Sequence, residues 1–202
     1  MFEKDIDLLY EIGTARNIDR VWKQFHLNGV ANLAEHTFRV QWLALVIAKM
    51  EGITDSVQLG KIALMALQHD VSEIRTGDVA FISREYTDRK EDLAIEDIFT
   101  GTVLENDVLP LWKDSSAKMS IEAKIVKDAD NLDCDLELRE LQAKGNQFLK
   151  KFKETRLFVR NKKLYTESAK KLWDGIYKTE PFDWILKARN RRNNGDWKGK
   201  TN

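Results

Sequence analysis

The chain has 202 residues, of which 43% are hydrophobic and 33% are charged, and its 33 basic side chains balance 33 acidic ones. Such a length can bury the core of one domain, and the charge balance favours neither a nucleic-acid partner nor an anionic membrane surface. A lone cysteine, Cys134, cannot form an internal disulfide, so we expect a soluble, cytoplasmic protein. No signal peptide is expected in MFEKDIDLLYEIG, and no apolar run approaches the roughly 18 residues of a membrane span.

Helix formers are abundant and there are only 2 prolines, which predicts an all-α fold. The apolar periodicity and the breaking glycines predict helices in seven places: about residues 3–15, 32–52, 54–76, within the charged segment 80–106, and at 120–145, 146–158 and 166–178. Pro110 is expected in a connection between helices. We predict one domain over residues 1–180, with a core at about 20–145, and a polar basic tail over 181–202.

Two of the three histidines lie on the apolar faces of successive predicted helices. The first helix begins with a capping box formed by Asn32 and Glu35. Four residues then share its inner face: His36, Val40, Leu43 and Ile47. The same spacing recurs in the next helix, which ends at Thr76-Gly77-Asp78: Ile62, Ala66, His69 and Glu73. The core therefore receives an imidazole from each helix.

Ionisable groups in a core need compensation, because desolvating them costs free energy. A divalent metal ion would compensate His36, His69 and the adjacent Asp70, since neutral imidazole and carboxylate are its usual ligands. Neighbours on a helix point about 100° apart, so His69 and Asp70 suit one ion only at the edge of a helix. Glu73 lies one turn further on, where it could hold a water molecule or protonate a leaving group.

A fourth ligand is expected from the acidic segment KIVKDADNLDCDLELRE. Three aspartates compete there: Asp128, Asp130 and Asp133. The apolar stripe of this helix passes nearest Asp133 by angle alone, so periodicity does not select Asp130. The choice stays open on the residues by themselves.

Several stretches resemble the 5′-deoxynucleotidase branch of the HD-domain metal-dependent phosphohydrolases. They are AEHTFRV, HDVSEIRTGD and KDADNLD, followed by ELQAKGNQF. The string HD-x-S-E-x-x-T-G-D, which is characteristic of that branch, is intact at residues 69–78. The resemblance covers roughly residues 5–150 and implies a single helical HD-domain bundle with a metal site between its core helices.

The resemblance also implies roles for particular residues. It assigns one divalent ion per active site (Mn, Co, Mg, Fe or Zn) to four ligands: His36, His69, Asp70 and Asp130. It places Glu73 and Asp78 near the phosphate and the attacking water. It implies that Asp78-Val79-Ala80 lines the substrate site, with Asp70 and Asp130 close to the substrate.

An arginine and a tryptophan upstream of the first histidine contact the nucleotide in the nucleotidases. This chain has Arg20-Val21-Trp22, which differs from that pair by one inserted residue. The resemblance thus assigns Arg20 and Trp22 to substrate binding, although Trp22 could equally be a packing residue. The remaining histidine, His26, is expected in a connection and leaves too few histidines for a second histidine-rich metal site.

The implied activity is metal-assisted hydrolysis of nucleoside 5′-monophosphates, with deoxyribose preferred over ribose. The implied partner is a small nucleotide, and a homodimer is compatible with the resemblance. Two alternatives stay open: an HD-fold binding module without turnover, and a phosphohydrolase of another small phosphorylated substrate. No ligand position is lost, which favours an enzyme.

Overall fold

The structure is a computed structural model that describes residues 2–25 and 27–188. The predicted all-α class is confirmed, since these residues form helices connected by turns. The described residues contain one isolated antiparallel bridge, between Asp19 and Asn32. The α-helices are α1 Glu3–Ile12, α2 Leu33–Met50, α3 Ser56–Gln68, α4 Glu73–Thr76, α5 Glu91–Phe99, α6 Glu105–Ala117, α7 Ile121–Ala143, α8 Leu149–Lys162, α9 Glu167–Lys178 and α10 Asp183–Lys187. Short 3₁₀ turns occur at Gly13–Asn17, Val21–Phe25 and Arg84–Tyr86.

The main core lies where α2, α3 and α7 pack together, and α9 packs against α7 and contributes to the same core. Small and branched residues on the facing surfaces are buried completely: Val40, Ala44, Ile47, Ile62, Met65, Ala66, Ala123, Ile125, Ala129 and Leu132. Small residues bring the helices close, and removing one large side chain here would cost about 2–5 kcal/mol. α2, which carries His36, and α3, which leads directly to His69, are therefore held against α7.

The predicted starts of α2 and α3 are confirmed by their capping contacts. The Asn32 side chain accepts from the Glu35 amide at 3.0 Å, and the Glu35 carboxylate accepts from the Asn32 amide at 3.0 Å. Asp55 caps α3 through the Gln58 amide at 2.7 Å. These contacts satisfy amides that a helix leaves unpaired at its start, and they fix the residue at which each helix begins.

The prediction of one continuous helix through Thr76 is wrong. α3 ends at Gln68, and tight i→i+3 turns then carry the chain to α4, including a bond from the Glu73 amide to the Asp70 carbonyl at 2.9 Å. The tighter winding changes the 100° angle between neighbours, so that His69 and Asp70 can face the same place. Gly77 then turns the chain with φ 75°, a conformation that a side chain disfavours.

Pro110 lies inside α6 rather than in a connection, so that prediction is also wrong. Its ring faces solvent, whereas Val108 and Trp112 on either side pack into a second cluster with Leu8 and Phe99. Burial of those large side chains outweighs the roughly 3 kcal/mol by which proline disfavours a helix interior.

The charged segment 80–106 is helical only in its second half. Its first half forms a 3₁₀ turn at Arg84–Tyr86 and then extends to α5. The residues that pack into the core are confined to α5, where Ile95, Ile98 and Phe99 are buried. Without an apolar stripe, residues 87–90 have no packing that would select a helix. The helix predicted at about 146–158 is also displaced, since α8 is Leu149–Lys162.

Within the polar basic tail predicted over 181–202, Asp183–Lys187 forms the short helix α10, and the tail as a unit stays a prediction. Residues 189–202, and likewise His26, lie outside the described residues. Within the described ranges, none of the helices has both the length and the apolar character needed to cross a bilayer. The single domain over 1–180 and the cytoplasmic location stay predictions.

Candidate metal centre and active site

Four side chains from three elements meet at the inner edge of the core. His36 comes from α2, His69 and Asp70 from the turn after α3, and Asp130 from the middle of α7. One nitrogen or oxygen atom of each lies within 4.8 Å of the others. The Asp70 Oδ2 atom is 3.4 Å from the His36 Nε2 atom and 3.2 Å from the His69 Nε2 atom. This spacing suits ligands of one ion.

The imidazoles are oriented through their other ring nitrogens. The His36 Nδ1 atom is 2.6 Å from a carboxylate oxygen of Asp133, and the His69 Nδ1 atom is 2.7 Å from the Ala66 carbonyl oxygen. Both are acceptors, so each Nδ1 carries the proton when the ring is neutral and Nε2 keeps its lone pair. Both Nε2 atoms are buried and have no hydrogen-bond partner. Such orphaned atoms, together with two carboxylates, fit a divalent cation.

The pKa values of the cluster describe the same fit. Burial alone would lower the pKa of His36, but the surrounding carboxylates, Asp130 first, raise it well above its usual value. Burial alone would raise the pKa of Asp70, which the His69 and His36 rings instead hold well below its usual range. The pKa of Asp130 is also well below its usual value, because Lys127 more than offsets the effect of burial. Two ionised carboxylates attract a cation strongly, and a cation that binds there must displace the proton of His36.

The three competing aspartates of α7 have three different environments. Asp130 belongs to the cluster, with its Oδ1 atom 3.5 Å from the His36 Nε2 atom. Asp133 contacts the opposite nitrogen of His36 and is also paired with Arg39. Asp128 faces away and accepts the backbone amides of Tyr165 and Thr166, each at 2.8 Å. The helical angle therefore identifies Asp133 as facing the core, while Asp130 reaches the cluster from the edge of the stripe.

We expect Asp128→Ala to lower the free energy of unfolding by about 2–5 kcal/mol, because it leaves two amides and the Thr166 hydroxyl without their acceptor. Bound metal per folded protein should stay unchanged. Urea unfolding and elemental analysis measure the two effects, with the exposed Asp88→Ala as control. Loss of metal at full stability would contradict this structural role.

The cluster opens into a cavity of about 550 Å³. Its lining includes eight residues that the sequence pointed to: Arg20, Trp22, His69, Asp70, Glu73, Asp78, Val79 and Asp130. His36 is fully buried behind them. Ala80 does not belong to this lining and is only 2% exposed, and its contact with the substrate stays a prediction. Its carbonyl accepts the amides of Ser83 and Arg84 in a turn from which Phe81 and Arg84 line the cavity.

Glu73 follows Asp70 by three residues, and its buried carboxyl group lines the cavity. Its Oε1 atom accepts from Arg89 at 3.2 Å, whereas its Oε2 atom is buried without a partner. Burial raises the pKa of Glu73 to about 9, Asp70 and Asp78 act in the same direction, and Arg20 and Arg89 oppose them. A divalent cation nearby would lower the pKa of Glu73, as the two arginines do. Such opposing influences suit a group that takes up and releases a proton near neutral pH.

Asp78 joins the turn after α4 to the upstream loop. Its Oδ2 atom lies 3.1 Å from the Arg20 Nη1 atom and accepts the Val21 amide at 3.0 Å. Arg20 is also 3.7 Å from the Asp70 Oδ2 atom. With both contacts on one oxygen, Asp78 is placed to position Arg20 at the cavity. This contact between residues 57 positions apart has no signal in the sequence pattern.

Trp22 both packs and lines the cavity. Its ring makes edge contacts with Phe148 and Phe152, with centroids 6.5 and 5.9 Å apart, and a tilted contact with Phe25. One face of this aromatic cluster therefore borders the cavity while the other joins α8 to the loop before α2. The two readings of Trp22 given by the sequence are compatible.

Sequence reasoning missed further residues that line the cavity: Arg84, Arg89, Lys118, Lys127 and Arg156. Several are tied to acids, for example Lys127 to Asp130 at 2.6 Å and Arg156 to Asp135 at 2.7 Å. The spacing of Lys127 and Asp130 on one helix face is the one signal that would have revealed such a pair. Arg89 lies 16 residues from Glu73, and only the tertiary fold joins them.

Comparisons with known proteins place this arrangement in a family. Residues 12–173 match the family model described as HD domain, so the chain belongs to the HD domain family. It is an HD phosphohydrolase, and its cofactor is a divalent metal ion.

Relatives and solved structures agree with this class. The chain is 27% identical over 195 residues to 5′-deoxynucleotidase HDDC2 of Danio rerio, which covers 88% of this chain and 94% of that protein. It is 34% identical over 130 residues to 5′-deoxynucleotidase plu3092 of Photorhabdus laumondii, which covers 58% of this chain and just 65% of that protein.

Among structures, the fold is similar to a conserved hypothetical protein from Pyrococcus furiosus, with TM-score 0.68, 22% identity, and coverage of 86% and 99% of the two chains. It is also similar to the cyanophage S-2L HD phosphohydrolase DatZ bound to dA and one catalytic Zn²⁺ ion, with TM-score 0.52, 21% identity, and coverage of 84% and 96%. At these identities the likeness concerns the fold.

Proposed function

We propose that this protein hydrolyses nucleoside 5′-monophosphates to nucleosides and phosphate, with deoxyribose preferred over ribose. One observation carries the proposal: the His36, His69, Asp70 and Asp130 cluster opens, beside Glu73, into a cavity of about 550 Å³. That volume falls within the usual range for small-molecule sites. The two relatives named 5′-deoxynucleotidases support the substrate class.

The four clustered residues would hold the divalent ion. When bound, such an ion polarises a phosphoryl oxygen and acidifies water, which is the chemistry that phosphomonoester hydrolysis needs. Glu73 would carry the proton, either from the attacking water or to the leaving 5′ oxygen, through its unpartnered Oε2 atom. Arg20, fixed by Asp78, would present its guanidinium to the phosphate, and Trp22 would offer an aromatic face to the base.

A second candidate is an HD-fold module that binds nucleotide or metal without turnover. The unpartnered, buried Glu73 carboxyl beside the cluster argues against it, because a binding site gains nothing from a desolvated acid with a raised pKa. The third candidate is a phosphohydrolase that acts on another small phosphorylated substrate. The aromatic border formed by Trp22 and Phe25 favours a substrate with a flat base.

A phosphate-release panel tests the proposal. Metal-stripped protein, reloaded with each divalent ion in turn, would be given deoxy- and ribonucleoside 5′-monophosphates, the 3′-monophosphates, ribose 5-phosphate and an aryl phosphate. We expect the 5′-nucleotides to be hydrolysed best, with a deoxyribose preference of at most about 10²-fold, since a pocket rejects an added hydroxyl only weakly by shape. Equal rates on ribose 5-phosphate would contradict nucleoside recognition.

Trp22→Ala is expected to lower kcat/KM for a nucleotide more than for a small aryl phosphate, and to weaken the deoxyribose preference. The reason is that its ring borders the cavity where the sugar and base would lie. Phe152→Ala is the matched control, because it disturbs the same aromatic cluster without lining the cavity. Equal losses on both substrates, or the same pattern in Phe152→Ala, would make Trp22 a packing residue only.

A further inference from the structure

Arg156 is a buried arginine in the wall of the cavity. It lies on α8, it is 8% exposed, and it is one of the residues that line the cavity. Its Nε atom donates to one carboxylate oxygen of Asp135 at 2.8 Å, and its Nη2 atom donates to the other at 2.7 Å. The Nη2 atom also donates to the Asn131 carbonyl at 2.7 Å. These bonds fix the plane of the guanidinium against α7.

The partner of Arg156 is a fully buried carboxylate. Asp135 is 0% exposed, and it also accepts the Tyr177 hydroxyl at 2.9 Å. Replacing a buried ion pair by apolar side chains often leaves stability unchanged or raises it, because desolvation offsets the attraction. Stability is therefore a weak reason for this pair, whereas holding a guanidinium in one orientation at the cavity is a sufficient one.

One nitrogen of Arg156 is left for a ligand. In the part of the chain that the structure describes, the Nη1 atom donates to no protein group, and it is not among the buried polar atoms without a partner. Nη1 therefore meets open space, and the space that Arg156 borders is the cavity. This nitrogen carries two N–H donors, and an arginine accepts no hydrogen bond. The group that it faces must be an acceptor.

Arg156 lies at the end of the cavity where the base of a nucleotide would lie. Its partner Asp135 follows the cluster residue Asp130 by five residues on α7, which is about 7.5 Å along the helix axis. Phe152, whose ring centroid is 5.9 Å from that of Trp22, precedes Arg156 by one turn of α8. A nucleotide with its phosphate at the cluster and its base at Trp22 therefore brings an edge of the base to the guanidinium.

We propose that Arg156 recognises the base of the substrate and selects a 6-oxopurine, guanine or hypoxanthine, over adenine. The O6 and N7 atoms of a 6-oxopurine are neighbouring acceptors, and arginine is the usual partner of that edge. Adenine places an amino donor where O6 would be, and this donor opposes the N–H groups of Arg156. The preference names the base within the proposed substrate class, so it rests on the proposed function.

The kcat/KM values for the 5′-monophosphates of deoxyinosine and deoxyadenosine measure this selection, because the two substrates differ only in the base. We expect the parent protein to prefer the deoxyinosine nucleotide by about 5- to 100-fold, the discrimination of one good arginine contact with a base. Arg156→Lys should bring the ratio to about one, since lysine keeps the charge beside Asp135 but loses the fork that presents Nη1.

Arg160→Lys is the matched control on the same helix. Arg160 also donates through Nε and Nη2 to the two oxygens of one carboxylate, that of Asp174, but it does not line the cavity. We expect this variant to keep the base preference of the parent. The comparison separates the loss of a base contact from the loss of a bidentate ion pair on α8.

Binding of the free nucleosides separates base recognition from hydrolysis. Deoxyinosine and deoxyadenosine carry no phosphate, and calorimetric titration of the full chain measures their affinities. We expect deoxyinosine to bind more tightly to the parent, and the two to bind alike to Arg156→Lys. Equal affinities in the parent, equal kcat/KM values for the two monophosphates, or a ratio unchanged by Arg156→Lys would overturn the base selection and leave the proposed hydrolysis standing. A nucleoside preference without phosphate release from any nucleotide would overturn the hydrolysis alone.

Discussion

Asp130→Ala is expected to abolish both stoichiometric metal binding and phosphate release while the protein stays helical. Its carboxylate is one of the four groups whose ligand atoms lie within 4.8 Å, and removing it leaves one carboxylate against a divalent charge. His36→Ala and His69→Ala should behave alike. Elemental analysis, circular dichroism and phosphate release measure the three properties.

Asp133→Ala is the matched variant on the same helix. It removes the acceptor at the His36 Nδ1 atom, which lies 2.6 Å away, and leaves the four clustered groups in place. Loss of such an orienting partner typically weakens metal binding about 10–100-fold, so saturating metal should restore full occupancy. Isothermal titration separates this from the Asp130 variant. A full metal complement in Asp130→Ala, with loss in Asp133→Ala, would refute the choice of fourth ligand.

Glu73→Ala and Glu73→Gln are expected to keep the metal and to lose about 10²–10⁴-fold in kcat, the usual contribution of a positioned general acid or base. The Oε2 atom of Glu73 is buried, unpartnered and beside the cavity, and neither replacement can transfer a proton from that place. Metal content and kcat are the two measurements.

Glu91→Gln provides the control for Glu73. It removes a carboxylate that contacts the same arginine, Arg89, at 2.7 Å and that also borders the cavity. We expect kcat within about two-fold of the parent for this variant, because Glu91 is not among the clustered groups. Turnover of Glu73→Gln within a factor of about two or three would remove Glu73 from the chemistry.

The part of the site that lies on regular helices could be predicted from the sequence. His36 follows a capping box and shares the period of the buried face of α2, so its position inside the core follows from local pattern. The break after Gln68 could not be predicted, because the apolar spacing continues through it. Yet this break is what lets His69 and Asp70 face the same cluster.

The choice between Asp130 and Asp133 depends on which helix packs against α7. Both carboxylates contact His36, at opposite ring nitrogens, and the period of one helix cannot tell these apart. The resemblance selects Asp130 as the fourth member of the cluster. The helical angle selects Asp133 as the residue that faces the core, where it contacts the His36 Nδ1 atom. Arg89 and the Arg20 to Asp78 pair join residues far apart in sequence and required the tertiary structure.

Phosphate release from a deoxyribonucleoside 5′-monophosphate tests the central claim most directly, measured on chelator-stripped protein before and after adding a divalent ion. We expect no release from the stripped protein, recovery on adding metal to the parent, and no recovery in Asp130→Ala. Release without metal, or full recovery in Asp130→Ala, would contradict a phosphohydrolase built on the His36, His69, Asp70 and Asp130 cluster.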